Sequence, residues 1–74
     1  MEDLMPYTVF LHTVGKKIKK CRTRKGLTQL ELAVLCNIEK GHLSRIERGK
    51  TNPTLITLLV ITDKLQMEFL DLFR

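Results

Sequence analysis

Twenty-two residues, Thr28 to Gly49, constrain the fold of this chain more than any other stretch. Thr28 and Glu31 stand at the spacing of a capping box. There a threonine hydroxyl accepts from the backbone three residues on, and a glutamate reaches back to the threonine amide. Asn37 follows at a distance of barely two helical turns, and asparagine tolerates the left-handed backbone a sharp turn needs. Gly49 closes the stretch. Between these marks only two short helices fit, over about 29–35 and 39–48. Leu43 and Ile46 share the inward face of the second, and Ile38 sits at the turn. Ala33 is small where the two helices must cross closely.

The flanking segments read as the frame for this pair. Residues 1–7 are expected to form an arm, broken by Pro6, leaving residues 8–74 as the domain. Thr8 is placed as the N-cap of a first helix over about 9–25. Leu11, Val14, Ile18 and Cys21 follow one face of it, with Phe10 alongside. Arg22, Arg24 and Lys25 suit the negative end of its dipole, and Gly26 suits the position just beyond. Asn52-Pro53 breaks the chain again, and Thr54 caps a fourth helix running to about Leu65. Its core face is expected at Leu55, Leu58, Leu59, Thr62 and Leu65. A short fifth helix over about 68–73 carries Phe69, Leu72 and Phe73, with Met67 before it. No window alternates as a strand would. The expected fold is all-α, a five-helix bundle.

Composition narrows the function. A chain of 74 residues makes one domain and buries only about 60% of its unfolded surface, so it must pack economically or associate. Cys21 and Cys36 are too few for a secreted disulfide scaffold and are expected as small core residues in a reducing cytoplasm. His12 and His42 lack metal-ligand spacing from either. The apolar run Leu58-Leu59-Val60-Ile61 is far too short to span a bilayer. A start of Met-Glu-Asp is unlike a signal sequence. There is no glycine-rich phosphate loop, no paired carboxylates and no nucleophile–base pair, so neither catalysis nor a cofactor is expected. Gly15 implies nothing beyond helix packing.

Charge is the more positive indication. Residues 16–50 hold eleven bases against three acids, whereas residues 51–74 hold two bases against three acids. Basic residues gathered in one part of a small domain suit a polyanionic partner.

The residues Arg22, Gly26-Leu-Thr-Gln29, Glu31-Leu-Ala33, Ile38, Leu43-Ser-Arg-Ile-Glu-Arg-Gly49, Asn52-Pro53, Leu58-Leu59 and Leu72-Phe73 resemble a known pattern. It is that of the lambda-repressor-like helix-turn-helix domain of phage repressors and Cro-type regulators, the XRE family. The resemblance covers about residues 14 to 73. In size the chain is similar to small controller proteins of restriction–modification systems. The resemblance implies a transcriptional regulator that binds double-stranded DNA, with the second helix of the pair in the major groove.

On that resemblance Lys40, Gly41, Ser44 and Arg45 occupy base-reading positions, with Glu39 and His42 on the same outward side. Arg45 suits a bidentate contact to guanine O6 and N7. Lys40 is divided between base and phosphate. Glu39 stands where the family has Ser or Thr, facing phosphate unless it is paired or accepts from cytosine N4. Gly41 either brings the backbone closer or leaves a base pair unread. Gln29 matches the family's phosphate-binding glutamine at a helix N-terminus. Arg48, Lys50, Asn37 and Lys17 are further phosphate candidates, whereas Lys16, Lys19, Lys20 and Arg24 read as steering or solubility charges. Arg22 and Glu47 match a structural ion pair.

Ile56, Val60 and Leu70 are apolar where the family is polar and suggest a homodimer through the last two helices. Leu30 and Val34 form a second apolar pair, expected to lie beneath Tyr7 and Phe10 unless they belong to a bulkier core. A different class of function is the alternative: an antitoxin-like module that uses Leu30, Val34 and the arm to bind a toxin.

Overall fold

The computed structural model describes residues 7–74. Four α-helices, α1 (Tyr7–Arg24), α2 (Gln29–Cys36), α3 (Lys40–Glu47) and α4 (Leu55–Leu65), are followed by a 3-10 helix, Phe69–Phe73. The five-helix bundle is therefore four α-helices and one tighter turn. The aromatic side chains of the 3-10 helix are held by packing: Phe69 meets Phe73 edge-on at 5.3 Å, and Leu72 between them is fully buried.

Helix α1 already includes Tyr7 and Thr8, so Thr8 is an internal residue and not the N-cap. The rest of the expected arm, residues 1–6, lies outside the described residues. The helix inserts Val14, Ile18 and Arg22 into the domain, while Leu11 and Cys21 stay half-buried at its margins.

All four α-helices end in the same way. A left-handed residue follows each, and the next amide bonds back across six residues: Leu27 to Arg22, Ile38 to Ala33, Lys50 to Arg45 and Met67 to Thr62. The left-handed positions are Gly26, Asn37, Gly49 and Gln66. Gln66 carried no such signal in the sequence, because a glutamine there has no intrinsic preference for φ > 0. This cap satisfies carbonyls the helix end leaves open.

The core gathers Val14, Ile18, Leu32, Ala33, Cys36, Leu43, Ile46, Leu58, Ile61, Leu65 and Leu72. Burial pushes the Cys36 thiol above its ordinary value, an effect partly offset by the nearby Lys64 charge. Both cysteines are free thiols, but only Cys36 belongs to the core proper; Cys21 packs against it from the edge.

Helix α4 is turned from its expected orientation. Its buried residues are Leu58, Ile61, Thr62 and Leu65, while Leu55 is 62% and Leu59 43% exposed. Apolar residues occupy nearly every position from 55 to 61, so periodicity alone does not select a face. Packing against α2, α1 and the 3-10 helix does. The buried Thr62 hydroxyl is satisfied by donating toward the Leu58 and Leu59 carbonyls at 3.0 and 3.1 Å.

The N-terminal aromatics also lie elsewhere than expected. Phe10 stacks on Phe73 at 5.7 Å and 12° between ring planes, which ties the start of α1 to the end of the chain. Tyr7 is exposed, and Leu30 and Val34 remain 56% and 70% exposed. Among the described residues nothing covers them, neither aromatic side chains nor a bulkier core.

Candidate nucleic-acid interface

The α2–α3 pair is set by four local devices. Thr28 accepts from the Glu31 amide at 3.0 Å, and the Glu31 carboxylate accepts from the Thr28 amide at 2.8 Å. This completes the capping box and starts α2 at Gln29. Asn37, at φ 55° and ψ 45°, ends α2 in a left-handed turn. Glu39 then opens α3 from an extended backbone. Ala33, 1% exposed, lets the two helices approach.

Helix α3 is locked from behind. Leu43 and Ile46 are buried, and the close approach of α1 to its C-terminal end depends on Gly15. A Cβ built on Gly15 would stand 2.8 Å from the Glu47 carbonyl carbon, far inside van der Waals contact. Gly49 repeats the device at the helix end. Its φ is +69°, and an added Cβ would lie 2.8 Å from the His12 backbone.

Between the three helices lies a buried polar network. Arg22 donates through Nε to Glu47 Oε2 at 2.7 Å and through Nη2 to Oε1 at 3.0 Å. Its Nη1 donates to the Leu27 carbonyl at 2.8 Å. Such fork-to-carboxylate geometry is strong and directional. Glu47 Oε1 also accepts from Gln29 Nε2 at 2.9 Å. One carboxylate thus joins α1, the last turn of α3 and the first residue of α2. The sequence indicated Arg22 and Glu47 but not the Gln29 bond, since nothing in residue spacing shows that position 29 returns to position 47.

The outward side of α3 presents Lys40, Gly41 and Arg45 to solvent, with His42 and Ser44 half-buried beside them. The Arg45 guanidinium lies over Gly41: a Cβ there would meet only Arg45 Nη1, at 3.6 Å. At that distance a methyl at 41 would be in ordinary contact with the arginine and would not displace it. Glu39 makes no side-chain cap bond and stays exposed at the leading edge. Asn37, before α3, and Arg48 and Lys50, after it, are also exposed. The Arg48 Nε is engaged at 3.3 Å with the Ser44 carbonyl.

Lys17 does not join this group. It stands on the side of α1 that meets the 3-10 helix, where its Nζ donates to the Asp71 carbonyl at 3.3 Å. Its spacing from the motif gave no indication of which side of α1 it would occupy.

The apolar candidates also separate. Ile56 and Leu70 are 68% and 58% exposed, whereas Val60 is half-buried against the core. Ile56, Leu59 and Val60 join Leu35 of α2 in lining a shallow depression rimmed by Asp63 and Lys64. Leu35 and Leu59 were missed because each fits the inward apolar pattern of its helix as well as its neighbours do. Among the described residues there is no cluster of His, Cys, Asp and Glu suited to a metal. No helix among them is long and apolar enough to cross a membrane.

Comparison with known proteins agrees with this geometry. A family model described as Helix-turn-helix matches residues 18–72. The chain is 39% identical over 56 residues to the immunity repressor protein of Bacillus phage phi105, covering 76% of this chain and 39% of that protein. It is 37% identical over 59 residues to the uncharacterized HTH-type transcriptional regulator y4dJ of Sinorhizobium fredii, covering 80% of this chain and 77% of that one. The crystal structure of the restriction–modification controller protein C.AhdI from Aeromonas hydrophila superposes with a TM-score of 0.82. It is 33% identical, with 85% of this chain and 96% of that chain covered. The chain thus spans about two fifths of the phage repressor, about three quarters of y4dJ and nearly all of the controller protein. By sequence and by structure, it belongs to the helix-turn-helix family of these regulators and controller proteins.

Proposed function

We propose that the protein is a sequence-specific DNA-binding transcriptional regulator that acts as a homodimer on a pseudo-palindromic operator. In this reading α3 enters the major groove, with Arg45, Lys40, Ser44 and the Gly41 backbone at base edges. The observation that carries it is the fixed α2–α3 pair, whose buried side is locked by Leu43, Ile46 and Glu47 and whose open side bears Lys40 and Arg45. An ordinary core hairpin needs no such exposed basic edge. Gln29 supports the same reading. Its Nε2 carries two N–H groups; one is held by Glu47, and the other is available to a phosphate at the N-terminus of α2. Arg48, Lys50 and Asn37 take flanking phosphates. The related proteins named as an immunity repressor, a transcriptional regulator and a controller protein favour regulation as the purpose of binding.

The dimer is assigned to the exposed apolar residues of α4 and the 3-10 helix, Ile56 and Leu70, with Val60 contributing from its half-buried position. Two recognition helices would then lie about 34 Å apart, one turn of DNA. Selection of bound sites from random duplexes at a stated salt concentration defines the operator, after which Arg45→Ala tests the assignment. Discrimination should fall by about 1–3 kcal/mol at one or two positions. Unchanged preference and affinity would remove α3 from the role of reader.

The uncovered Leu30 and Val34 favour a second reading, a module that silences a protein partner such as a toxin. Stoichiometric co-purification of that partner, lost in Val34→Glu, would support it.

A further inference from the structure

Helix α1 carries eighteen residues and not one acid. Its buried positions, Val14, Ile18 and Arg22, define the inner side. Lys16, Lys20 and Arg24 follow at four-residue steps, and at 3.6 residues per turn this row runs along the opposite, outer side. All three are exposed, and Lys17 and Lys19 flank the row. The pairs 16–20, 20–24, 16–19 and 17–20 are neighbours on the helix surface, where like charges repel. Among the described residues the ion pairs are Arg22–Glu47 and Arg74–Asp71, so none of these five cations is paired with a described carboxylate. Glu68 and Asp71 approach only from the side of the 3-10 helix, where they share a cleft with Lys17, Lys20 and Arg24. The outermost surface is lined by Thr13, Lys16, Lys17, Lys19, Lys20 and Thr23, without an acid. Both threonine hydroxyls there donate to carbonyls of their own helix, which leaves the ammonium groups as the side-chain donors.

We infer that this face of α1 is a second, sequence-independent docking surface for the phosphate backbone of duplex DNA, separate from the recognition helix. The row from Lys16 to Arg24 extends about 12 Å at 1.5 Å per residue. Over that length one strand of a duplex offers three to four phosphates, at about 3.4 Å each. Between Lys16 and Arg24 the exposed side has no apolar or aromatic residue. A protein interface core, which is depleted in lysine, does not suit it, and neither do single-stranded bases, which need stacking platforms. The row lies across α1 from the core on which α3 packs, so a straight duplex held by α3 does not reach it. A regulator bound to its operator therefore keeps a basic face turned toward a second DNA segment.

The experiment uses two differently labelled duplexes, one a selected site and the other of arbitrary sequence, with energy transfer reporting their bridging by the full-length chain. The expected result is bridging at low salt. Lys16→Gln/Lys20→Gln/Arg24→Gln should abolish it while selected-site binding remains. Lys16→Arg/Lys20→Arg should bridge like the unsubstituted chain, and circular dichroism of each variant checks that the fold is intact. Selected-site binding without a second duplex, or bridging that survives the triple substitution, overturns the assignment. So does capture of an acidic peptide such as polyglutamate in preference to the arbitrary duplex. Failure to bind the selected duplex at all would refute the recognition-helix reading instead, so the two failures are distinct.

Discussion

Removing Glu47 should strongly destabilise this domain. Its side chain is 1% exposed and that of Arg22 is 8% exposed, so the pair has almost no water to fall back on. Glu47→Ala leaves Arg22 Nε and Nη2 without acceptors while Nη1 keeps the Leu27 carbonyl. Breaking a buried pair by deleting one partner costs about 3–5 kcal/mol, because the surviving charge is stranded. A natural domain of 74 residues is stable by about 4–11 kcal/mol at 0.05–0.15 kcal/mol per residue, so the variant should lose from about a quarter to all of its stability. Urea unfolding followed by circular dichroism measures this as a lower midpoint at unchanged slope. Adding about 1 M salt should not rescue it, since burial keeps the stranded Arg22 charge from being screened. Arg22→Met/Glu47→Leu should recover most of the loss, because no unpaired charge remains. A loss below about 1 kcal/mol, the range of exposed pairs, or a loss that salt erases, would show that the network is a surface contact and refute the reasoning.

Two further outcomes follow from the geometry. Gly41→Ala should raise the thermal midpoint, by up to about 1 kcal/mol of helix stability. The added methyl meets only Arg45 Nη1, at ordinary contact distance. Differential scanning calorimetry checks the rise, and a drop would mean that Arg45 cannot yield. For the dimer, Ile56→Glu with Leu59→Glu should give a monomer by light scattering, since both are exposed and neither belongs to the buried core. Val60 is a poorer probe because it packs against the core, and an unchanged dimer would place the interface away from α4.

How much of this was legible in the residues depends on the range of the interaction. The start of α2, its left-handed end at Asn37 and the closing Gly49 are set by bonds spanning three to six residues, and the chain displays those spacings directly. Arg22 and Glu47 are far apart in sequence and were recoverable only because the whole pattern resembles a known domain. Gln66 shows the converse. Its left-handed turn is imposed by the bond from Met67 to Thr62 and by the packing beyond it, not by any preference of glutamine.

The sequence by itself determined the helix pair, the inward set of α3 and the basic balance of its first two thirds. Caps, glycines and apolar spacing act locally, and net charge needs no fold. Only the tertiary structure decided which side of α4 is buried, that Phe10 stacks on Phe73 and leaves Leu30 and Val34 bare, and that Glu47 holds Gln29. It also decided that Lys17 turns toward Asp71 and that Lys16, Lys20 and Arg24 stay exposed on the outer side of α1. An apolar run on a helix is compatible with several rotations, and a lysine with several neighbours. Which is realised depends on the summed burial of the other elements, and no short window of sequence contains that sum.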